Sequence, residues 1–477
     1  MTGFIRKYQL YDKQAKEKVK QLISRIKQAG LHSVRILFAD QHGVMRGKTV
    51  MPDQLPGLFE QGMALPSSLL IKDIANRTVM DVWSGSATGL AGMAGLGDIL
   101  LVPDPDRFFE LPHAPGIGWL QADIWHNDGT ASPLDTRRIA RQQAEQLAGA
   151  GLSLAVGLEV EAHIFRIESE YLAAADATQP GRPPEVSLVH QGWQLASEQR
   201  LDSLEPVFAI IRQCCAGLGL PLRTLEAEFG PSQIEMTFGV REAIQAADDM
   251  VLLRAALRQA LARQGWLISF MCRPALANCF SAGWHLHQSL IGKQCKNLFI
   301  PEAGQQLSQI AGHWLAGLLA HGREMAIFAA PTLTGYKRYR PHSLAPDRLS
   351  WGLDNRGAAF RLIAAEGDKA SRIENRTGEP AANPYLYVAS QIASGLDGLQ
   401  KERPCPPAAQ NAYADERAEK LPANLAEAVQ LMQESAFVRE AFGDLFVSAY
   451  GAIKAAELAQ FNSHVTDFEQ QHYLTAF

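Results

Sequence analysis

Two histidines stand two residues apart in Phe280-Ser-Ala-Gly-Trp-His285-Leu-His287-Gln-Ser289, inside an apolar and aromatic stretch. In a strand, residues i and i+2 share a face, so His285 and His287 reach into one space. Neutral imidazole ligates metals and hydrogen-bonds phosphate, although two half-buried structural histidines would show the same spacing. Upstream, Gly157-Leu-Glu-Val-Glu-Ala-His163-Ile alternates in the same way. Leu158, Val160, Ala162 and Ile164 face one side, and Glu159, Glu161 and His163 the other, with the carboxylates about 6–7 Å apart. These are either a solvated face or ligands for a hard cation. In Glu226-Ala-Glu228-Phe-Gly-Pro-Ser-Gln-Ile-Glu235-Met, a turn at Gly230-Pro231 lets Glu228 and Glu235 converge from the arms of a hairpin. A charged hairpin edge is the alternative. The last cluster is basic: Tyr336-Lys-Arg338-Tyr-Arg340, then Asn355-Arg356 and Arg361, then Lys369, Arg372, Glu374 and Arg376. Arg356 and Arg361 fall in an otherwise apolar, strand-like stretch. Buried guanidinium is costly unless paired, and its planar fork suits carboxylate and phosphate. Structural salt bridges are one reading, a phosphate-handling pocket with two cations the other. Carboxylate-rich ligation favours Mg²⁺ or Mn²⁺ over zinc.

The elements that must position these groups follow from periodicity and turn residues. Val19, Leu22, Ile23 and Ile26 predict a helix over 16–29, ended by Gly30. Strands 33–38 and 44–50 flank a turn with Gly43 at its positive φ. The Gly/Ala/Ser-rich stretch 85–97 reads as a loop. Residues 98–104 read as a short buried strand, and the Pro-rich run to about Gly116 as a turn. Helices are expected over 135–150, 202–218 and 241–264, strands over 153–165 and as a hairpin over 223–238, a surface excursion over 171–186, and helices after Leu425. Without regular βαβ alternation the fold class is α+β, divided into a small domain over 1–128 and a large one over 129–477.

Composition narrows the function. The 477 residues are 47% hydrophobic and 20% charged, with a net charge of −5, which describes an ordinary globular enzyme-sized chain. Nothing here suggests nucleic acid or an anionic membrane as partner. No apolar run of spanning length and no signal-peptide pattern are visible. The six cysteines lack C-x-x-C spacing and read as reduced thiols of a cytoplasmic protein.

Taken in order, seven motifs resemble the glutamine synthetase family: G-x-E-x-E (Gly157–Glu161), E-x-x-P-x-Q-x-E (Glu228–Glu235), G-x-H-x-H-x-S (Gly283–Ser289), Y-K-R (Tyr336–Arg338), N-R (Asn355–Arg356), R-I-E-x-R (Arg372–Arg376) and N-P-Y-L (Asn383–Leu386). The resemblance runs from about residue 20 to the C-terminus. It implies a β-grasp-like N-terminal domain, a large catalytic domain with an antiparallel sheet, and a homo-oligomer of stacked rings, a dodecamer in bacterial members, with active sites between subunits. It also implies ATP, two or more Mg²⁺ or Mn²⁺ ions, and small-molecule acid and amine substrates. By this likeness Glu161, Glu228 and Glu235 hold one cation, and Glu159, His285 and Glu374 the other. His287, Ser289, Lys369 and Arg372 attend ATP, with Arg361. Arg338 and Arg376 hold the acid, with Glu161 and Ser281 at its site, and Arg356 and Arg361 hold the transferred phosphoryl group. Tyr413 falls near a tyrosine that some bacterial members adenylylate.

Departures from the family pattern point to the nucleophile. The family's N-G-S-G-x-H reads Phe280-Ser-Ala-Gly-Trp-His285 here, so the Asn and first Gly that help hold glutamate are Phe280 and Ser281. The flap glutamate of ammonia-using members is Leu344, and their N-terminal aspartate falls at Leu65. Those acids bind ammonium and remove its proton, and an alkylammonium with a pKa near 10.4 costs roughly 4–5 kcal/mol to deprotonate at pH 7. The expected activity is therefore ATP-dependent joining of a carboxylate, the γ-carboxyl of glutamate or, given Phe280 and Ser281, another acid, to an organic amine (a polyamine, ethanolamine or another alkyl or aryl amine) through an acyl phosphate, with His342 as a candidate base. The alternatives are an ordinary glutamine synthetase using ammonia, a guanidino kinase, which Arg338 and Arg376 disfavour, and a non-catalytic scaffold. Retention of every cation ligand opposes the scaffold, since buried carboxylates with nothing to neutralise them destabilise a protein.

Overall fold

The computed structural model describes residues 3–83, 91–169 and 171–477. The helix expected over 16–29 runs Lys13–Gln28, because Asp12 caps it by accepting from the Ala15 amide at 2.7 Å. Its Val19, Leu22 and Ile26 are buried against a five-stranded sheet. Strands β1 (Ser33–Ala39), β2 (Met45–Val50), β3 (Met63–Pro66), β4 (Asp98–Glu110) and β5 (Ile117–Trp125) take the order β2-β1-β5-β4-β3. The central β1–β5 pair is parallel and the rest antiparallel, the β-grasp-like arrangement anticipated. Gly43 supplies the positive φ of +69° in the β1–β2 turn.

Two local expectations need correction. The strand read as ending near Asp104 continues to Glu110, through Pro103 and Pro105. Its pairing with β5 shifts register between Pro103 and Phe108, which spares the prolines from donating to the ladder. Of the stretch 85–97 read as a loop, residues 84–90 lie outside the described residues, and Ala91–Leu96 forms tight 3₁₀ turns.

The second sheet carries the chemistry. It is built from β6 (Ser153–Ile167), β7 (Val186–Leu188), β8 (Leu222–Ala227), β9 (Gln233–Phe238), β10 (Arg241–Glu242), β11 (Trp266–Ser269), β12 (Trp284–Ile291), β13 (Trp351–Leu353), β14 (Phe360–Ile363) and β15 (Arg372–Asn375). The main path is β13-β14-β15-β12-β6-β9-β8, antiparallel except for the β13–β14 pair. Helices Thr136–Gly149, Glu198–Leu218, Ala243–Ala262, Gln309–Ala320 and Pro384–Gln400 complete the body, and four more follow from Leu425. No helix of the described residues is long and apolar enough to cross a membrane.

The two sheets are joined through buried polar contacts. Asn383 caps helix Pro384–Gln400 with its side-chain oxygen. Its amide group donates to the carbonyls of Asp40 and Gln41 at 3.0 and 3.2 Å. The N-P-Y-L motif thereby fixes the β1–β2 turn onto the larger unit.

Candidate active site

The site starts from strand register. On β6, Glu159 lies opposite His285 of β12, and Glu161 opposite Glu235 of β9. His287 lies opposite Glu374 of β15, and Glu374 in turn opposite Arg361 of β14. Because alternate residues share a face, five strands deliver their ionisable groups to one surface of the sheet. Their burial excludes the solvated reading: Glu161, Glu235 and His285 are buried, and Glu374 has no exposed surface.

Ligand atoms of Glu159, His285 and Glu374 lie within 4.8 Å of one another, as do those of Glu161, Glu235 and His285, and those of Glu226, Glu228 and Glu235. The first group is the expected one. The second expected group is split: Glu228 groups with Glu235 and Glu226, while Glu161 groups with Glu235 and His285. Burial, and then the nearby Glu228, pushes the Glu161 carboxyl up to about 8. Burial with Glu159, Glu161 and Glu228 pushes Glu235 up to about 10. So many carboxylates at this separation are held apart only by protonation or by a positive ion, and hard oxygen donors suit Mg²⁺ or Mn²⁺.

His285 approaches Glu159 through Nδ1 at 2.5 Å and receives Arg338 Nη2 at Nε2, 3.3 Å away. Burial, and then Arg376, lowers its pKa to about 4, so the ring is neutral, donating from Nδ1 and accepting at Nε2. Burial opposes ionisation of Glu159, but His285 and His287 outweigh it and hold that carboxylate well below the ordinary range. His287 bridges two groups: Nε2 meets Glu159 at 3.0 Å, and Nδ1 accepts from Arg372 Nε at 3.0 Å.

The basic side is assembled around Glu374. Arg361 Nη1 donates to it at 3.0 Å, and Arg376 also pairs with it. Arg376 reaches the Arg356 and Leu344 carbonyls as well, at 3.1 Å each. Arg338 is buried and donates to the Arg376 carbonyl at 2.8 Å. Arg356 departs from expectation. It occupies the exposed turn between β13 and β14 rather than an apolar strand, where its guanidinium needs no buried partner. Ser289 donates to the Ser371 carbonyl at 2.8 Å, tying β12 to the start of β15. Lys369 is exposed in the preceding turn. Ser281 accepts from Arg273 Nη1 at 3.0 Å.

Three residues tied to the nucleophile stand differently. Leu344 is 42% exposed, with φ +57°. Leu65 pairs with Ile99 and is buried in the first sheet's core, because its strand alternates with the apolar side inward. His342 is exposed, with its ring 5.0 Å from that of Tyr413. Tyr413 itself is not free on the surface, for its hydroxyl donates to the Ala345 carbonyl at 3.0 Å.

Sequence reasoning gave no role to Gln233, Glu226 or Glu379. Gln233 donates to Glu161 Oε2 at 2.6 Å and accepts from the Gly230 amide at 2.8 Å, so the Q of the second motif orients a carboxylate. Glu379 accepts from the Thr332 amide and hydroxyl, both at 2.8 Å, and so anchors the segment that leads to Arg338.

Residues 133–473 match the family described as the glutamine synthetase catalytic domain. Among curated proteins, the chain is 37% identical to a gamma-glutamylanilide synthase of an Acinetobacter species, covering 98% of both chains. It is 31% identical to a gamma-glutamylethanolamide synthetase of Streptomyces coelicolor, covering 94% of each. It is 30% identical to a glutamate–isopropylamine ligase of a Pseudomonas species, over 94% of this chain and 96% of that one. Among solved structures, ligand-free GmaS superposes with a TM-score of 0.80 at 25% identity, over 95% of this chain and 99% of the other.

Proposed function

The chain belongs to the glutamine synthetase family, and from that premise we propose that it joins the γ-carboxyl of glutamate to an organic amine, driven by ATP. A carboxylate is a poor acyl donor because its oxygen leaves badly. A γ-carboxylate oxygen attacks the γ-phosphorus of ATP, and the bond to the ADP oxygen breaks. The amine nitrogen then attacks the acyl carbon of the resulting acyl phosphate, the bond from that carbon to the phosphate oxygen breaks, and nitrogen loses its proton. Divalent cations supply charge neutralisation at the transferring phosphoryl group.

In this reading Glu161, Glu228 and Glu235 hold one ion and Glu159, His285 and Glu374 the other, where repulsion among the carboxylates already favours a positive charge. Arg372, oriented by His287, attends ATP with Ser289 and Lys369. Arg338 and Arg376 receive the acid's carboxylates, with Ser281 beside them, and Arg356 and Arg361 the transferred phosphoryl oxygens. The enzyme works in the cytoplasm as stacked rings whose sites lie between subunits, a reading that rests on the family likeness.

One observation carries the choice of an organic amine over ammonium: the carboxylate and arginine arrays are complete, while the flap position is occupied by Leu344. Three of the relatives are named for amide formation with different amines, which agrees with this reading. The test is purified enzyme with Mg²⁺, ATP and glutamate, offered ammonium or a panel of amines, with mass detection of the amide. Organic amides should form faster than glutamine. Faster glutamine formation than any amide would refute the proposal.

A further inference from the structure

Three chain segments that are far apart in sequence converge at the acidic end of the cleft. The Trp193 and Phe229 ring centroids are 6.4 Å apart, those of Trp193 and Phe280 are 6.3 Å apart and edge-to-face, and those of Phe229 and Phe280 are 5.4 Å apart. The Trp193 amide donates to the Phe229 carbonyl at 2.6 Å. Gly192, at φ +82°, makes this approach possible, since a Cβ there would lie 2.6 Å from the Pro231 nitrogen. Buried aromatic clusters are common in cores, but this one is not sealed: Trp193 is 54% exposed, and Phe229 and Phe280 are only partly covered.

Its place relative to the chemistry gives it meaning. Phe229 adjoins Glu228, whose carboxylate receives the Phe229 amide at 3.1 Å. One turn residue on, Gly230 is bonded to Gln233, which holds Glu161. Toward the other end of the strand order, β14 carries Arg361 and β15 opens with Arg372, with Arg376 just past its last residue. The phosphoryl group and the acid's carboxylates belong with those arginines. Ser281, which accepts from Arg273 Nη1 at 3.0 Å, borders the acid, so the neighbouring rings stand at the boundary between the acid and the second reactant.

We propose that Trp193, Phe229 and Phe280 form the amine-recognition surface and select an aromatic amine, an inference that rests on the ligase reading above. Two arguments converge on a planar, neutral amine. Rings in tilted and edge-to-face arrangements accept a further ring in the same manner, with a gain beyond simple area burial. An arylamine, whose lone pair is delocalised into its ring, is already unprotonated at neutral pH. It therefore needs no acid at the position of Leu344 to remove a proton before attack, whereas an alkylammonium does.

The experiment compares kcat/KM for aniline, isopropylamine and ethanolamine, with glutamate and ATP saturating, in the full-length enzyme and in Trp193→Ala, Trp193→Phe and Phe280→Leu. Aniline should lead the panel. Trp193→Ala and Phe280→Leu should lower the aniline-to-ethanolamine ratio by about 10- to 100-fold, mainly through the KM for aniline, and Trp193→Phe should recover most of it. Misfolding would depress all amines together and cannot change the ratio selectively. A preference for the alkylamines, an unchanged aniline-to-ethanolamine ratio in Trp193→Ala enzyme that keeps the wild-type melting temperature, or an effect confined to the KM for glutamate would each overturn the assignment while leaving the ligase reading in place. No amide from any amine would instead sink the ligase reading, and this inference with it.

Discussion

Glu159 and His285 face each other across the β6–β12 ladder, with carboxylate oxygen and imidazole Nδ1 2.5 Å apart. The same carboxylate also meets His287 at 3.0 Å, so one side chain connects the residue read as a cation ligand with the residue read as an ATP contact. Replacing Glu159 with Gln keeps the size and removes the charge that attracts a cation. The variant should lose about 10²–10³ in kcat and require more Mg²⁺ for half-maximal rate. Wild-type thermal stability should rise on adding Mg²⁺, and that rise should shrink in Glu159→Gln. An unaltered Mg²⁺ requirement would remove Glu159 from the cation site.

Glu379 gives a pH-dependent prediction away from the cations. Burial raises its pKa from an ordinary 4.5 to about 7, against the opposing hydrogen bonds from Thr332. Between these values the native state holds a proton that the unfolded chain has released, so unfolding free energy falls as pH rises. The contribution is fully present below about pH 4.5 and lost by about pH 7, a change of about 3 kcal/mol. Glu379→Gln keeps an acceptor for the Thr332 amide but cannot ionise. Its denaturant midpoint should decline less than the wild-type midpoint between pH 5 and 8. Parallel declines would show that Glu379 does not titrate in this range.

Asp248, on helix Ala243–Ala262, ties the first sheet to the helices of the larger unit. It receives Arg137 through two bonds at 2.9 Å, the Tyr385 hydroxyl at 2.6 Å and Gln121 at 3.2 Å, and pairs with Arg107 at 3.2 Å. Asp248→Asn leaves two largely buried guanidinium groups without their shared carboxylate. Removing one partner of a buried pair costs about 3–5 kcal/mol. The low end applies here because Arg137 retains Asp104 and Asp123, and Arg107 retains Asp249. Urea denaturation should read the loss directly, and a change below about 1 kcal/mol would make the network incidental.

The convergence of these side chains was legible because strand alternation converts spacing into a shared face, and the groups at positions 159, 161, 285 and 374 meet only if their strands are neighbours. Arg356 was misplaced for the converse reason. Its apolar surroundings suggested a strand, but an unpaired guanidinium is more cheaply kept in an exposed turn. Strand β4 outran its expected end because proline is tolerated where the ladder slips. Trp193 gave no local signal, since its partners are about 40 and 90 residues away in the chain and are brought together only by tertiary packing.

Leu344 offers the sharpest test of the nucleophile. Its backbone is held by Arg376, which donates to its carbonyl, while 42% of the residue remains exposed. The backbone is thus positioned independently of the side chain. Leu344→Glu keeps the same left-handed backbone requirement and introduces the acid found at the flap of ammonia-using relatives. A carboxylate there attracts ammonium and accepts its proton, a step that otherwise costs several kcal/mol at pH 7. Ammonium-dependent ADP release should rise by about tenfold or more relative to wild type, while coupling of uncharged arylamines gains nothing from the added carboxylate. The ratio of glutamine to aryl amide, measured by mass detection in one mixture, is insensitive to the fraction of folded enzyme. If Leu344→Glu leaves that ratio unchanged, the flap does not decide the nucleophile.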